Sequence, residues 1–271
     1  MDDLLVRELL EDCRSGDSCK QTLAIMKLQD LKVHKAVPIL IELLTSPEEN
    51  IRGLAVEALG WLGEEKKETV GPVLVRMLAD SEERVRADAL DGLARLQYKP
   101  AIEEVLSALT KDPEWLVRVS AAEALADLAE VGDLKILEGL EQALSDPIEP
   151  VRAYAACTLG ILGTPKIIPK LQNYFESEES LDTKAEILAA QYRLGKQNAL
   201  YPLLELLENA DEHLVEVILN ILGDLADRKT PLIIAEDSSI ICNSLTKVAP
   251  KFFTERYHAE QVITQLENLS L

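Results

Sequence analysis

The sequence contains few of the residues from which catalytic and metal sites are usually built. Its 271 residues include three histidines, four cysteines and 4% aromatic residues. None of His34, His213 and His258 is followed by a glutamate. There is no phosphate-binding loop, no Gly-x-Ser-x-Gly segment and no Cys/His cluster with metal-ligand spacing. We therefore predict no catalytic residue, no metal site and no bound cofactor.

Paired cysteines and long apolar runs are also missing. Cys13, Cys19, Cys157 and Cys242 include no Cys-x-x-Cys pair, so we expect reduced thiols. No apolar run approaches the roughly 18–20 residues of a membrane-spanning helix, and the acidic start differs from a signal peptide. We expect a cytoplasmic protein with no membrane partner.

Basic residues are scarce relative to acidic ones. The chain has 28 Lys and Arg against 48 Asp and Glu, a formal net charge of −20. Such a surface repels phosphate backbones, so we expect no nucleic-acid partner. The surplus acid either steers the chain towards a basic patch on another protein or simply coats the solvent side of helices.

One pattern recurs along the chain. SPEENIRGLAVEALGWLG is followed by DSEERVRADALDGLARL, DPEWLVRVSAAEALADL and SDPIEPVRAYAACTLGILG, each with an arginine ahead of an apolar helical stripe. The aligned positions, 31 to 34 residues apart, are Arg52, Arg86, Arg118, Arg152, Lys184 and Val215. A period of this length indicates one supersecondary unit that is repeated and stacked.

Each repeat reads as two helices, because a shorter apolar helix precedes each copy of the pattern. Ser46-Pro47, Asp112-Pro113 and Asp146-Pro147 predict an N-cap with proline at the first helical position. Gly63, Gly163 and Gly195 are predicted to end helices. The predicted fold is an all-α, right-handed solenoid of about seven to eight stacked helix pairs.

The domain organisation follows from the repeat. Residues 1–31 are predicted to form an N-terminal capping helix pair, and residues 32–227 six repeats. Residues 228–271 are predicted to form a divergent helix pair that acts as a C-terminal cap, with a partner-binding tail as the alternative.

The repeats resemble those of HEAT-repeat proteins, specifically the short-repeat branch named for phycobilisome lyases, over Lys35 to Asp227. The resemblance rests on an aspartate six residues before the arginine in Asp80/Arg86, Asp112/Arg118 and Asp146/Arg152. It implies that these residues form a ladder of hydrogen bonds and ion pairs between adjacent repeats. The alternative is that they are only helix caps and solvated charges. Since Ser46 and Glu178 replace the aspartate in the outer copies, we expect the ladder to weaken towards both ends.

The resemblance also implies that the second helices line a concave side, where a partner binds. Positions four, seven and eleven of the pattern share one helix face away from the buried stripe. The predicted binding residues are Leu54, Glu57, Trp61, Asp88, Asp91, Arg95, Glu123, Asp127, Tyr154, Cys157, Ile161 and Arg193. The same positions also include Ser120, Glu186, Ala189, Val217, Asn220 and Asp224.

This face combines apolar anchors, Trp61 at one place and Tyr154 with Ile161 at another, with an acidic centre. Exposed apolar residues bordered by charge are typical of protein-binding surfaces. The alternative is that Trp61 and Ile161 turn inward. Trp115 replaces a glutamate of the other copies, and it either anchors a partner or folds over the preceding helix.

Three functions are compatible with these features. The first is a non-enzymatic scaffold that binds another protein through a basic or mixed apolar patch. The second, implied by the resemblance, is a bilin lyase subunit that handles a linear tetrapyrrole and pairs with a second HEAT-like chain. In that case, Cys157 would be the thiol of interest, with Tyr154 beside it. The third is iron–sulfur assembly, which the wide separation of the cysteines in a solenoid disfavours.

Overall fold

The computed structural model describes residues 3–226, 235–252 and 254–269. Within these ranges it contains sixteen α-helices and no β-strand. The chain divides into two compact units, Met1–Ala143 and Leu144–Leu271. The predicted all-α solenoid class is confirmed, whereas its handedness and the three-part domain division stay predictions. The predicted boundary at residues 227–228 lies outside the described residues.

Unit 1 consists of helix pairs that repeat one packing arrangement. Its nine described helices are α1 Asp3–Asp12, α2 Ser18–Asp30, α3 Val37–Leu43, α4 Glu49–Leu62, α5 Lys67–Met77, α6 Glu83–Arg95, α7 Ile102–Lys111, α8 Trp115–Leu128 and α9 Leu134–Ala143. Each odd-numbered helix from α1 to α7 packs against the even-numbered helix that follows it. The even-numbered helices also pack side by side in the order α2, α4, α6, α8. They form one layer, whose outward side carries the predicted binding positions.

Unit 2 repeats this arrangement. Its described helices are α10 Glu149–Leu162, α11 Ile168–Ser177, α12 Leu181–Arg193, α13 Leu200–Glu208, α14 Glu212–Leu225, α15 Ala235–Val248 and α16 Arg256–Leu269. Here α10, α12, α14 and α16 pack side by side. Apolar side chains from α12 to α16 form a continuous core that includes Leu203, Ile218, Leu222 and Leu266. The tail helices α15 and α16 therefore belong to the packed body of unit 2.

Small residues let the layered helices approach closely. A Cβ built on Gly60 of α4 would lie 2.9 Å from Cα of Gly92 on α6. In unit 2, a Cβ on Gly160 of α10 would lie 2.7 Å from Cα of Ala190 on α12. These distances leave no room for a side chain, so the two glycines set the spacing of their helices.

The helix starts differ from the prediction. Glu49, Trp115 and Glu149 begin α4, α8 and α10, so the preceding Ser/Asp-Pro pairs lie outside the helices. The side chains of Ser46, Asp112 and Asp146 instead accept a hydrogen bond from the backbone N–H two residues later, in a turn ahead of the helix. The prediction of a proline at the first helical position was therefore wrong.

The predicted helix ends agree with the structure. Gly63 and Gly163 are the C-cap residues of α4 and α10. Gly195 follows the C-cap of α12 with φ of +97°, a left-handed conformation that glycine adopts without strain. No helix within the described residues is long and apolar enough to cross a membrane.

Candidate protein-binding surface

A ladder of arginine–carboxylate contacts joins successive repeats of unit 1. Arg52 donates from Nε and Nη2 to the carboxylate of Asp80, with both distances 2.8 Å. Arg86 binds Asp112 in the same two-pronged way, at 2.8 and 2.9 Å. The remaining Nη1 of each arginine donates to the main-chain carbonyl six residues earlier, in Ser46 or Asp80. Each arginine thus fixes its own repeat against the next one.

This geometry explains why the serine at position 46 does not weaken the ladder. Only the main-chain carbonyl of Ser46 is used by Arg52, and any residue supplies a carbonyl. The expected weakening was therefore wrong at the N-terminal end. Hydrogen bonds from Arg52 hold the pKa of Asp80 below its usual value, against the opposing effect of burial.

Unit 2 contains a related contact with a glutamate in place of the aspartate. Arg152 binds the Glu178 carboxylate at 2.7 and 2.9 Å, and its Nη1 donates to the carbonyl of Asp146 at 3.0 Å. In unit 1, Nη1 of Arg118 donates to the carbonyl of Asp112 at 2.9 Å. Lys184 stands where the next arginine would be, with Nζ 5.8 Å from the Phe175 ring centroid. The ladder residues are thus engaged within the protein and serve its structure.

The unit 1 face is the outward side of the layer of second helices. It comprises Leu54, Glu57, Trp61, Asp88, Asp91, Arg95, Glu123 and Asp127. Trp61 is 51% exposed, so it does not turn inward. The guanidinium carbon of Arg95 lies 3.6 Å from the centroid of a Trp61 ring, in a cation–π contact. Ser120, at an equivalent position on α8, is buried.

A first groove on the unit 1 face has a volume of about 490 Å³. Its lining includes Leu54 and Glu57 of α4 and Asp88 of α6. Burial raises the pKa of Asp88 to about 6, Arg84 acts in the opposite direction, and the charges of Asp91 and Glu57 raise it further. Three carboxylates are thus close enough to affect one another's ionisation.

The second groove has a volume of about 270 Å³ and is lined by Asp91, Arg95, Glu123 and Asp127. The pKa of Glu123 is raised to about 7, first by desolvation and then by the charges of Asp91 and Asp127. The Glu123 side chain is nevertheless exposed. The groove walls displace water around the carboxylate without covering it, so its pKa is raised although the side chain is exposed.

The face extends further than the sequence analysis placed it. Leu23 and Met26 occupy on α2 the positions that Leu54 and Glu57 occupy on α4, and both are exposed. The signal was present, because the pattern aligns on Gln21 in the place of Arg52. The face positions were simply not continued into this atypical first repeat.

The unit 2 face comprises Tyr154, Cys157 and Ile161 of α10. Arg193 of α12 was also predicted to bind a partner, but its side chain is only 6% exposed and its Nη2 lies 3.9 Å from Oδ2 of Asp224. Tyr154 and Ile161 are exposed, and Nη1 of Arg193 lies 3.7 Å from Sγ of Cys157. Ala189, which has an equivalent position on α12, is fully buried.

A buried acid lies beside Cys157. Burial raises the pKa of Glu186 to about 7, and its Oε2 atom is buried with no hydrogen-bond partner in the described part of the chain. Burial likewise raises the pKa of the Cys157 thiol to about 12, assisted by the charge of Glu186. A thiol with so high a pKa is a poor nucleophile at neutral pH.

Other side chains considered in the sequence analysis lie outside these two faces. Trp115 is the first residue of α8 and is 45% exposed. His34 Nδ1 lies 3.0 Å from the carbonyl oxygen of Leu62, and His213 Nε2 lies 2.8 Å from Oδ2 of Asp182. In the part of the chain that the structure describes, no three His, Cys, Asp or Glu residues are grouped to hold a metal ion.

Solved structures with a similar fold include three informative cases. The complex of CpcE and CpcF of phycocyanin lyase from Nostoc sp. PCC7120 gives a TM-score of 0.62 at 20% identity, covering 86% of this chain and 94% of the matched one. The YibA protein of Escherichia coli gives 0.59 at 21% identity, covering 98% and 93%. An engineered protein gives 0.52 at 22% identity, covering 74% and 98%. At these identities the similarity shows the fold alone.

No curated protein sequence matches the chain. The family model of HEAT repeats, however, matches residues 6–94, 71–140 and 102–191, which together span most of the chain. The matched residues include most of the repeated helix pairs. The chain belongs to the HEAT-repeat family.

Proposed function

We propose that this protein is a non-enzymatic, cytoplasmic scaffold that binds another protein on the outward side of its second helices. The observation that carries the proposal is Trp61, a half-exposed indole that contacts Arg95 of the second groove and stands one helical turn from Glu57 of the first. Tryptophan is enriched among the residues that dominate binding energy, and exposed apolar groups next to charge mark interaction surfaces.

The acidic grooves define the partner's charge. The raised pKa values of Asp88 and Glu123 mean that ionising these carboxylates costs free energy, first because burial removes water from them and then because neighbouring carboxylates repel the charge. A lysine or arginine of a partner would reduce this cost by pairing with them. The partner would therefore carry a basic patch with an apolar group for Trp61.

Unit 2 offers a separate apolar contact. Tyr154 and Ile161 lie two helical turns apart on α10, and both are exposed. We propose that they bind an apolar segment, and we treat this contact as independent of the unit 1 face in the test below.

The test is affinity capture from a lysate of the source organism, with quantitative mass spectrometry. Trp61→Ala is compared with Trp115→Ala, which removes another half-exposed tryptophan, and Tyr154→Ala with Tyr201→Ala, which removes another exposed tyrosine. We expect a partner that Trp61→Ala loses and Trp115→Ala retains. Loss only in Trp115→Ala would instead place the contact at the start of α8, and retention by all variants would contradict both proposed faces.

A bilin lyase subunit is the second candidate function, supported by the similar fold of the CpcE and CpcF chains. Because that structure is a complex of two named components, the corresponding proposal here is a pair with a second HEAT-like chain. The chemistry of the two faces gives this candidate less support. The Cys157 thiol is held protonated, Arg95 covers Trp61, and Arg193 is directed at Cys157.

Absorption spectra separate the two functions. The purified protein is mixed with phycocyanobilin, with or without an apo-phycobiliprotein, and the visible spectrum is followed. A scaffold leaves the spectrum of the mixture unchanged. A shifted, protein-bound bilin band, or faster attachment to the apo-protein, would support the lyase function.

A further inference from the structure

The first repeat continues the unit 1 face with an apolar edge. Leu23 and Met26 lie one turn apart on α2, and their side chains are 60% and 50% exposed. A single exposed apolar residue is common on a protein surface, but two neighbouring ones on the unit 1 face call for an explanation. Both stand at the positions that carry binding residues in the following repeats.

This edge is directly connected to the first acidic groove. Helix α2 packs against α4, and Thr22, the neighbour of Leu23, lines the groove. Nε2 of Gln29 donates to Oε1 of Glu57 at 3.2 Å, which ties the two helices together at the surface. The apolar residues of α2 and the carboxylates of α4 and α6 therefore form adjacent stripes of one surface.

We propose that this surface binds an amphipathic helix of another protein, with its apolar stripe on Leu23, Met26 and Leu54 and a basic stripe on Glu57 and Asp88. This inference rests on the proposed scaffold function and specifies the partner and the site. Packed helices lie about 8–10 Å apart, and an α-helix with side chains is about 10–12 Å wide. One helix can therefore contact both stripes at once.

Charge favours a basic helix of another protein over a second copy of this chain. The chain carries a net charge of −20. The lining of the groove beside Leu23 has one cation, Arg84, against five carboxylates, those of Glu49, Glu57, Glu82, Glu83 and Asp88. A second copy would bring a like-charged surface against these carboxylates. A lysine- or arginine-bearing helix meets them with the opposite charge.

The test uses the full chain and fluorescein-labelled peptides of about 18 residues, five helical turns. One peptide has leucine on one face and lysine on the other, and its matched control has glutamate at every lysine. Binding is measured by fluorescence anisotropy for wild type, Leu23→Glu/Met26→Glu, and Val131→Glu/Leu134→Glu. The last variant adds the same charge at two other exposed apolar residues of unit 1.

We expect the lysine peptide to bind wild type and the Val131→Glu/Leu134→Glu control similarly. The Leu23→Glu/Met26→Glu variant should lose at least about tenfold in affinity, as expected for two anchors. The loss would occur although the added charge strengthens attraction of the basic peptide. If the lysine peptide bound by charge alone, its affinity for this variant would instead increase. Leu23→Ser/Met26→Ser repeats the test without new charge.

Three results would overturn the inference. One is equal peptide affinity in wild type and both Leu23/Met26 variants. Another is a wild-type dimer, seen by light scattering, that Leu23→Glu/Met26→Glu converts to a monomer, since a second copy would then be the occupant. A captured partner that needs Trp61 but not Leu23 or Met26 would also overturn it while leaving the scaffold function intact. A captured partner that the Trp61 variant and the Leu23/Met26 variants all retain would contradict both the inferred helix site and the proposed scaffold function.

Discussion

Arg95 of α6 lies over the indole of Trp61 on the neighbouring helix α4, with 3.6 Å between the guanidinium carbon and a ring centroid. Half of the Trp61 side chain remains exposed. The arginine therefore shields and orients one side of the ring and leaves another for a partner. Such a contact stabilises an exposed pair by about 0.5–1 kcal/mol, enough to favour one orientation of the indole.

Removal of Arg95 should make Trp61 more accessible. In a Trp115→Phe background, in which Trp61 is the sole tryptophan, we expect Arg95→Ala to increase acrylamide quenching and shift the emission to longer wavelength. Arg84→Ala removes an exposed arginine from the same helix and should change neither property. Unchanged quenching in Arg95→Ala would show that the arginine does not cover the ring in solution.

The ladder contact between Arg86 and Asp112 should contribute strongly to stability. Both side chains are about nine-tenths buried, so Arg86→Ala leaves the Asp112 carboxylate without its two-pronged partner. We expect a loss of about 3 kcal/mol in the free energy of unfolding, measured by urea denaturation. Arg76→Ala removes an arginine that makes one long hydrogen bond to a carbonyl on the surface and should cost less than about 0.5 kcal/mol. Equal effects of the two substitutions would contradict the structural role of the ladder.

The fold was predictable because the same sequence features recur from one helix pair to the next. The arginine or its replacement recurs with its apolar stripe every 31 to 34 residues, and the structure has a helix pair for each copy. The ladder at Ser46 was mispredicted because the spacing of residue types does not show that Arg52 uses a carbonyl there rather than a side chain. The same limit applies to the three prolines, which lie in the turns ahead of the helices and not at the first helical positions.

The approach of α4 and α6 at Gly60 should tolerate no side chain. Alanine normally stabilises a helix interior by up to about 1 kcal/mol relative to glycine. In Gly60→Ala, however, the new Cβ would lie 2.9 Å from backbone Cα of Gly92, so the helices must separate. We expect a net loss of about 1–3 kcal/mol.

Gly223→Ala is the matched control for this substitution. Its Cβ would meet only side-chain atoms at 3.8 and 3.9 Å, which is ordinary contact. We therefore expect Gly223→Ala to raise the urea midpoint and Gly60→Ala to lower it. Two changes of the same sign would show that helix propensity, and not helix spacing, decides the effect.

The cysteines should differ in reactivity. Burial raises the pKa of Cys157 to about 12 and that of Cys13 to about 11, whereas Cys19 is exposed. At pH 8 the Cys157 thiol is therefore protonated, whereas the thiolate is the reactive form. Iodoacetamide labelling followed by peptide mass spectrometry should show Cys19 modified well before Cys157. Rapid labelling of Cys157 would instead support a reactive thiol and strengthen the bilin lyase candidate.

The site was only partly predictable from the sequence. Helical register was enough to place Trp61, Asp88 and Glu123 on the surface, because the pattern fixes the buried stripe. It did not show which carboxylates approach closely, since that depends on distances between helices that are set by residues such as Gly60. The raised pKa of Glu123 is a property of the assembled groove, and no local pattern of residues contains it.

Glu123 should make the stability of the protein depend on pH in a defined direction. Its pKa is about 7 in the folded protein, above the value of about 4.3 for an unperturbed glutamate. The folded state therefore holds the proton more tightly than the unfolded state. As the pH rises from about 4 to 7, this site lowers the free energy of unfolding, and above pH 7 the full cost of the charge is present.

Glu123→Gln removes this charge while keeping the shape of the side chain. We expect the variant to have a higher urea midpoint than wild type at pH 8 and a similar midpoint at pH 3, where the wild-type carboxyl is protonated in both states. Glu138→Gln, at an exposed position of α9, should leave the wild-type difference in urea midpoint between the two pH values unchanged. If Glu123→Gln stabilised the protein equally at both pH values, the ionisation of Glu123, which is opposed first by burial and then by the charges of Asp91 and Asp127, would not be the cause. If it destabilised the protein at pH 8, the ionised carboxylate would have a favourable partner, and the unit 1 face would lack the charge strain that a basic helix is proposed to relieve.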